Sequence, residues 1–368
     1  MSGTAACGEC LARAWLIARL AGFIELARHQ RRRLREILAL PDDRLIAGVA
    51  GVAAGEISEQ LERLDIDHLR EAVDRARLEA ICRHDDAYPA RLTDLTDAPA
   101  ALFVAGGVRR LVEMAGGDLE IGPRAVAVVG TRRGSPDGLE VATSLGRGLA
   151  AAGVTVVSGM ALGIDSAAHA GAVVAGGRTI AVLAGGADVP YPRVKARLYE
   201  RIVEHGCVVA ELPPGFVARR WCFPARNRII AALAHTTVVV EAARRSGSLI
   251  TAEIATDLGR EVGAVPGTVT SWRSAGTNAL LRDGATVIRH ASDALDLAVG
   301  VECHASPPLR LPPHLRDLLE EVSVGRDTLA ALTRSPSDVY PTLAGLTELE
   351  LLGHLRRVPG GRYVVVPQ

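Results

Sequence analysis

Seven short apolar runs, separated by stretches with helix-like composition, constrain the fold of this chain more than any other feature. The stretches between them are 20 to 26 residues long and rich in Ala, Leu, Arg and Glu. Continuous apolar strands joined by crossover helices predict an α/β fold with a mostly parallel sheet covered on both faces. Ligands of such sheets bind beyond the carboxyl ends of the strands, where the strand order reverses. The predicted strands are Ala125–Val129, Val154–Val157, Thr179–Leu183, Cys207–Ala210, Thr237–Val240, Val262–Val265 and Thr286–Ile288.

The regions on either side of these runs follow other patterns. Residues 1–75 are predicted to form a helical domain, because Leu16, Leu20 and Ile24 recur on one helical face. Residues 76–300 are assigned to the sheet domain, and residues 301–313 are predicted to be a stiff Pro-rich linker.

Residues 314–368 have the order of a winged-helix domain, with three short helices followed by a hairpin. The third helix, predicted over Val339–Leu352, brings no arginine to its first turns, whereas a duplex reader normally places Arg, Lys, Asn or Gln there. Arg356, Arg357 and Arg362 lie instead on the predicted wing. This pattern favours a protein-docking module over sequence-specific DNA binding. The predicted elements are His314–Val322, Asp327–Leu332, Val339–Leu352, His354–Val358 and Arg362–Val366.

Charge and aromatic content narrow the possible ligands. Lys+Arg and Asp+Glu are equal at 42 each, so a nucleic-acid footprint must be local rather than global. Lys195 is the single lysine, and a phosphate site in this chain therefore uses guanidinium groups. Only 3% of the residues are aromatic, which leaves Phe223 and Trp221 as the stacking groups near the candidate arginines.

The sequence predicts a cytoplasmic protein without a membrane span, because no uninterrupted apolar run reaches the required length. The six cysteines are scattered, and reduced thiols are expected in that compartment. Cys7 and Cys10 form a CxxC motif without a second pair. On this basis we predict neither a metal nor a cofactor.

The octet Phe223–Ile230 carries the most specific signal for a ligand. It places Arg226, Asn227 and Arg228 at a predicted helix start, where free backbone N–H groups favour an anion. Two arginines two residues apart point in different directions on a helix, yet they can converge on one ligand from the first turn. An aromatic ring, a forked cation and a helix N-terminus suit a phosphate with a base attached, although a solvated helix start gives the same pattern.

Three loops at predicted strand ends complete the candidate site. Gly130–Gly134 allows a tight turn with Arg132 over the crevice, and it matches neither GxGxxG nor Walker A. Ser158–Asp165 offers glycines and hydroxyls, and Asp165 either caps a helix or pairs with His169. In the third loop Ser248 is predicted to cap a helix and Thr251 to add a hydroxyl. Each loop alone has an ordinary structural explanation, but together they predict an anion site without the carboxylate–metal groups of phosphoryl transfer.

Taken in order, six motifs resemble the DprA/Smf family of DNA-processing proteins. They are GTRR, SGMALGIDSAAH, ELPPG, FPARNRII, SGSLITAE and AVPG, and they occur in this order between Gly130 and Gly267 of the sheet domain. The resemblance implies an extended Rossmann-like domain that binds single-stranded DNA, forms a homodimer and helps to load the RecA recombinase. It also implies a role in natural transformation or recombination, without catalysis. The N-terminal helices resemble the variable SAM or helix-hairpin-like domain of some members.

The resemblance places Arg132, Arg226 and Arg228 in the DNA pocket, with Asn227 beside them; Lys195 is a weaker candidate. GTR replaces the more common GSR of the family, and SGMALG replaces SGLA-G. The residues predicted to contact DNA are Gly130, Arg132, Ser158, Gly159, Gly163, Lys195, Phe223, Arg226, Asn227, Arg228, Gly247, Ser248 and Thr251.

Two other classes of function remain open from the sequence. One is a Rossmann-like enzyme that cleaves nucleotide N-glycosidic bonds, whose PGGxGTxxE signature here reads ARRSGSLITAE, with Glu253 retained and the glycine pair lost. The other is a regulator that senses a small nucleotide, which would bind mononucleotides tightly and oligonucleotides not at all.

Overall fold

The computed structural model describes residues 6–30, 33–115, 124–299, 311–333, 335–358 and 360–366. It divides the chain into two compact units, residues 1–300 and residues 301–368. The predicted linker over 301–313 lies outside the described residues except for its last three positions. Among the described residues, no helix combines the length and the apolar character that crossing a bilayer requires.

The first unit contains fourteen helices and nine strands within its described residues. The helices are α1 (Gly8–Arg19), α2 (Ala21–His29), α3 (Leu34–Leu38), α4 (Asp42–Val49), α5 (Ala54–Glu62), α6 (Ile66–Arg75), α7 (Val108–Ala115), α8 (Pro136–Ala151), α9 (Ile164–Val174), α10 (Ala196–His205), α11 (Cys222–Leu233), α12 (Gly247–Asp257), α13 (Ala275–Arg282) and α14 (Ala291–Val299). The strands are β1 (Glu79–Cys82), β2 (Ala101–Ala105), β3 (Ala125–Val129), β4 (Thr155–Ser158), β5 (Thr179–Val182), β6 (Cys207–Ala210), β7 (Thr236–Val239), β8 (Glu261–Ala264) and β9 (Thr286–Val287).

All nine strands form one sheet in the order β1-β2-β6-β5-β4-β3-β7-β8-β9. The seven strands from β6 to β9 pair in parallel, while β1 and β2 add an antiparallel edge. The predicted α/β fold with a mostly parallel sheet is confirmed, and every predicted strand is present to within one residue at each end. The chain winds outward from β3 to β6 and then returns to the other side of β3 with β7. The strand order therefore reverses between β3 and β7.

Strand β3 shows why these apolar runs form central strands. Its residues Ala125, Ala127 and Val129 pack into the core beneath α7, α11 and α12. The alternate residues Val126 and Val128 pack against α8 and α9 on the opposite face. Because successive side chains point to opposite faces, a strand covered on both sides must be apolar throughout.

The N-terminal helices share a core with the sheet unit. Leu16, Leu20 and Ile24 pack with Trp221 and Ala225 at the start of α11. The Trp221 indole Nε1 donates a hydrogen bond to the Ala21 carbonyl at 3.0 Å. This packing brings α2 beside the amino end of α11. The division of residues 1–300 into a helical domain (1–75) and a sheet domain (76–300) remains a prediction.

Within its described residues, the second unit has three α-helices followed by a hairpin. Its elements are α15 (Pro313–Ser323), α16 (Leu329–Leu332), α17 (Val339–Leu351), β10 (Leu355–Val358) and β11 (Arg362–Val365). Leu315, Leu346 and Tyr363 belong to its small apolar core. The predicted element order is present, but the winged-helix assignment and its role stay predictions. Arg362 of the hairpin is not a free cation, because it pairs with Asp327.

Candidate nucleic-acid interface

A cleft of about 280 Å³ lies at the carboxyl edge of the sheet, where the strand order reverses. The loop after β3 forms one wall, and the start of α12, which follows β7, forms another. Helix α11 contributes the floor. Eight of the residues predicted to contact DNA line this cleft: Gly130, Arg132, Phe223, Arg226, Asn227, Gly247, Ser248 and Thr251.

The mouth of the cleft carries a cation stacked on an aromatic ring. The guanidinium carbon of Arg132 lies 4.6 Å from the centroid of the Phe223 ring. The ring of Tyr191 packs against the same phenylalanine at 5.5 Å between centroids, and Tyr191 is 46% exposed. A guanidinium held face-on to a ring keeps its N–H edges available for phosphate oxygens. This group therefore offers both charge and a flat apolar surface to a ligand.

Arg226 lies on the floor of the cleft and is almost completely buried. Its Nη1 donates to the carbonyl of Val182 at the end of β5, whereas its buried Nε finds no hydrogen-bond partner among the described residues. A Cβ atom on Gly159 would overlap the Arg226 guanidinium, so the glycine is required for this packing. Burial lowers the pKa of Arg226 to about 10, against the opposing effect of Asp165. Arg226 thus remains a cation at neutral pH, held deep in the cleft.

Asp165 brings a carboxyl group to the back of the cleft. Burial raises its pKa, while Arg226 and backbone N–H groups of Ala161, Gly159 and Gly130 act in the opposite direction. Asp165 is not the helix cap, because α9 begins at Ile164 with Gly163 as its N-cap.

The predicted pairing of Asp165 with His169 is replaced by another contact. His169 is fully buried, and its Nδ1 lies 2.6 Å from Oγ1 of Thr179. That hydroxyl donates in turn to the carbonyl of Val156 at 2.7 Å. Because desolvation disfavours the charged ring, burial lowers the pKa of His169 to about 3. His169 is therefore a neutral structural residue.

The start of α12 forms the wall opposite Arg132. The helix begins at Gly247, and the side chain of Ser246 accepts a hydrogen bond from the Ser248 backbone N–H, so Ser246 rather than Ser248 is the cap. Asn227 of α11 donates from Nδ2 to the Gly247 carbonyl at 3.1 Å and ties the two helices together. A Cβ on Gly247 would have no neighbour within 4 Å, which means that the cleft is open at this residue.

Arg228 does not lie in the cleft, and the prediction that it lines the DNA pocket is wrong. Its side chain is 1% exposed and makes a bidentate pair with Glu211, with Nη2 2.6 Å from Oε1 and Nη1 2.9 Å from Oε2. Its Nε and Nη2 both donate to the backbone carbonyl of Asp97, whose carboxylate Oδ2 lies 2.9 Å from the same Nε. Burial opposes the charge of Arg228, but Glu211 and Asp97 outweigh it and raise the pKa of the guanidinium. The opposite directions of the two arginines follow from their spacing on α11, which begins at Cys222 and places Arg226 in its second turn.

The remaining predicted residues lie outside the lining of the cleft. The buried Ser158 donates from Oγ to the Val128 carbonyl at 2.6 Å. Gly163 adopts φ +84° and packs against the backbone of Thr131 and Arg132, so it shapes the turn that carries Arg132. Lys195 belongs to a short 3₁₀ turn, and the loop that precedes it reaches the cleft mouth through Tyr191 instead.

Sequence reasoning missed two residues at the cleft and assigned a third to it wrongly. Arg28 of α2 lines the cleft and is exposed, although nothing local in the sequence links it to the sheet. Tyr191 escaped notice because its contact with Phe223 joins distant segments. Trp221 is not a stacking group, since it is 1% exposed in the core below α2.

Comparison with known proteins places the chain in a family. The family model described as DNA recombination-mediator protein A matches residues 79–298, which contain the whole sheet and every residue that lines the cleft except Arg28. The chain belongs to the DprA/Smf family of DNA-processing proteins. A DprA relative from Mycobacterium tuberculosis is 43% identical over 247 residues, which cover 62% of this chain and 63% of the relative. The chain thus spans less than two thirds of that relative's length.

Two solved structures of DprA proteins share the fold. The X-ray structure of DNA processing protein A from Streptococcus pneumoniae is 32% identical, with a TM-score of 0.62, and the match covers 79% of this chain and 96% of that one. The second is DNA processing protein A from Helicobacter pylori, which was solved to describe the single-stranded DNA binding mode of that protein. It is 27% identical with a TM-score of 0.52, covering 60% of this chain and 96% of that one. Both matches support the Rossmann-like architecture of the family.

Proposed function

We propose that this chain binds single-stranded DNA in the cleft between the ends of β3 and β7, without catalysing a reaction. In this proposal it protects the strand and helps to load the RecA recombinase during natural transformation or recombination. The relationship to DprA proteins, one of which was solved for its single-stranded DNA binding mode, supports the ligand class.

The observation that carries the proposal is the stack of Arg132 on Phe223 at the mouth of the cleft, with Tyr191 beside it. Proteins that bind single strands without strong sequence preference combine basic groups along the backbone with rings on which bases stack. The exposed Arg28 and Arg132 supply charge on the cleft lining, and the buried Arg226 adds a third cation on the floor. Because the chain as a whole is electrically neutral, this local cluster must provide the attraction for phosphates.

The position of Glu253 argues against the enzyme that cleaves N-glycosidic bonds. Glu253 is the glutamate retained from that signature, but it is exposed on α12 and does not line the cleft. It lines a neighbouring depression with Arg35 and Asp257, which shares Pro224 and Ile250 with the cleft. The acidic residue among those that line the cleft is Asp165, which is buried beside Arg226. Asp165 favours the charged form of Arg226 on the cleft floor.

The proposal is tested by fluorescence anisotropy with a labelled oligothymidine at moderate salt, comparing the wild type with Arg132→Ala. We expect the substitution to weaken binding about tenfold, or about 1.4 kcal/mol. The slope of log affinity against log salt should decrease by about 0.7 for the lost phosphate contact. Arg133→Ala is the matched control, because Arg133 is the exposed neighbour that does not line the cleft.

Equal binding by the Arg132 and Arg133 variants would remove the cleft from the proposal. A double substitution of Arg226 and Arg228 is a poorer test, because both side chains are buried and their loss would perturb folding. Two further assays separate the rival functions. Release of a base from AMP would indicate the N-glycosidic enzyme, and tight mononucleotide binding without oligonucleotide binding would indicate the nucleotide sensor.

Dimer formation and RecA loading are expectations that follow from the family relationship. A homodimer would join two clefts and raise affinity for one strand through effective concentration. Light scattering coupled to gel filtration measures dimer formation. RecA loading is measured by the assembly of RecA filaments on a single strand coated with single-strand-binding protein. A monomer that still binds oligothymidine would contradict the dimer and leave the cleft intact.

A further inference from the structure

Three cysteines and a histidine from two distant segments converge away from the cleft. Cys7, Cys10, Cys82 and His84 each offer one ligand atom, and these four atoms all lie within 4.8 Å of one another. Cys7 and Cys10 form the CxxC motif, with Cys7 just before α1 and Cys10 in its first turn. Cys82 is the last residue of β1, and His84 lies two residues after it. The CxxC motif alone predicts no metal, but the fold adds the two ligands that the local sequence lacks.

The spacing of these atoms matches a tetrahedral zinc centre. Zinc binds sulfur at about 2.3 Å and histidine nitrogen at about 2.0–2.1 Å, so a tetrahedral angle separates the two ligand atoms by about 3.6 Å. The Nδ1 atom of His84 lies 3.4 Å from Sγ of Cys7 and 3.6 Å from Sγ of Cys10. The pairs are therefore already at the separation that one shared ion requires.

Backbone contacts hold the two segments together. The Ala6 N–H donates to the carbonyl of Ala80 in β1 at 3.1 Å. The Cys7 N–H points at Sγ of Cys82 at 3.4 Å, which is a contact that stabilises a thiolate. After the strand, the Arg83 N–H continues the pairing with the Ala100 carbonyl at 3.1 Å. These backbone hydrogen bonds therefore place His84 next to the thiols.

We propose that Cys7, Cys10, Cys82 and His84 bind one zinc ion in a structural Cys₃His site. Four protein ligands close the coordination shell, so the ion has no open position for a substrate or water. Binding releases the thiol protons to solvent, and the three thiolates with the neutral imidazole leave the site with one net negative charge. Cys10 and Cys82 are buried, whereas His84 is exposed and marks the route by which the ion enters.

The site would clamp the N-terminal helices to the edge of the sheet. The ligands Cys7 and Cys82 are 75 residues apart, so one ion closes a long loop that includes α1 to α6. Closing a long loop removes conformational entropy from the unfolded chain. β1 is also a strand at one edge of the sheet, and an ion bound at its end would fix this edge to the start of α1.

The test is metal content together with cobalt substitution of the full-length chain, purified under reducing conditions with added zinc. We expect one zinc per chain by elemental analysis, and Co(II) should give thiolate charge-transfer bands and the d–d bands of a tetrahedral ion. Chelation of the zinc should lower the thermal midpoint and increase amide exchange in α1 and β1. Zinc-free protein that gives no thiolate–cobalt bands, or a disulfide between Cys7 and Cys10 recovered under these conditions, would overturn the proposal.

Substitutions locate the ion and separate loss of a ligand from loss of fold. His84→Ala changes an exposed side chain, so the chain should still fold while zinc affinity decreases by more than about tenfold. Cys82→Ser should lower both the zinc affinity and the intensity of the charge-transfer bands, because one of the three thiolate ligands is lost. The matched controls are His68→Ala, on the exposed face of α6, and Cys207→Ala, in the core of β6, and both should retain one zinc. A zinc ion that survives both His84→Ala and Cys82→Ser with unchanged affinity lies elsewhere, and the assignment would then be wrong.

Discussion

The chain places the same guanidinium group in two regions that differ in solvent exposure, with Arg132 at the cleft mouth and Arg228 in the interior. The Arg228 side chain is 1% exposed, and its N–H groups are directed at Glu211, at Ala225 and at the carbonyl of Asp97. Arg132 is exposed and rests on the Phe223 ring. The interior arginine therefore has fixed acceptors, whereas the cleft arginine presents its N–H edge to whatever enters.

Substitutions in the interior should therefore be followed by protein stability, and substitutions in the cleft by ligand binding. A buried charge with fixed partners affects the free energy of unfolding, because removal of one partner leaves the others buried, charged and out of contact with water. An exposed charge in a cleft contributes to binding and responds to salt, and its removal costs little stability. Substitutions in the two regions should thus affect different observables, and a variant that affects both would break the comparison.

The largest effect is expected for Arg228→Ala. The change leaves Glu211 buried without its cation and leaves Asp97 with the more distant Arg35, whose Nε lies 3.8 Å from its Oδ1. Breaking such a buried pair costs about 3–5 kcal/mol. Urea unfolding followed by circular dichroism measures this loss, with the exposed Arg133→Ala as the control that should change stability by less than about 0.5 kcal/mol. A loss below about 1 kcal/mol for Arg228→Ala would mean that the interior cluster is not a stabilising unit.

Acidification should destabilise the fold through His169. Its pKa is about 3 in the folded chain because of burial, against an ordinary value of about 6.5. The unfolded chain therefore binds the proton more readily than the folded chain. The contribution of neutral His169 to the free energy of unfolding is fully present above about pH 6.5 and decreases as the pH falls towards 3. The slope approaches about 1.4 kcal/mol per pH unit for this one proton.

The His169→Gln variant should flatten that slope, and the exposed His68→Gln should leave it unchanged. Part of the slope should persist in His169→Gln, because burial also lowers the pKa of His235 to about 4. Oligothymidine affinity of the folded protein should not follow the His169 titration, since this ring contacts Thr179 and does not line the cleft. The same pH dependence in wild type and His169→Gln would contradict the assignment.

The sheet and the place of the cleft could be predicted from the sequence because both depend on local pattern and general geometry. A strand such as Ala125–Val129 is apolar on both faces, and parallel strands bring their carboxyl ends to one edge. Gly130 and Arg132 lie in the loop directly after β3, Gly247 opens the helix after β7, and the structure brings all three to one cleft. Strand β1 was missed because it is a short antiparallel edge strand beginning with an exposed glutamate, Glu79.

Side-chain direction could not be predicted where the deciding partner is remote. Arg226 and Arg228 lie in one motif, but Asp97 and Glu211, which hold Arg228 in the interior, come from other parts of the chain. The approach of Arg28 to the cleft likewise depends on tertiary packing of α2. For the cysteine cluster the CxxC motif supplies half of the ligand set, and only the fold joins it to Cys82 and His84.

Gly247→Asp tests the cleft without touching its cations. A side chain at Gly247 meets no atom within 4 Å, so the fold should tolerate it, in contrast to Gly130, where a Cβ would lie 2.6 Å from Ile164. A carboxylate beside a phosphate costs about 1 kcal/mol in water, which corresponds to roughly fivefold weaker oligothymidine binding. Gly247→Asn has the same shape without the charge and is the matched control. Equal affinity for the Asp and Asn variants would show that no phosphate passes this wall.

The smallest effect is expected for Asn227→Ala, which removes the hydrogen bond from Nδ2 to the Gly247 carbonyl. Because this side chain is only half-buried, the loss should be about 0.5 kcal/mol of stability, at the lower end for a hydrogen bond. If Asn227 only positions α12, Asn227→Ala should weaken oligothymidine binding by less than about twofold. A several-fold loss would mean that the amide itself contacts the strand. The size of this loss therefore places the residue on the structural or the binding side of the contrast between Arg228 and Arg132.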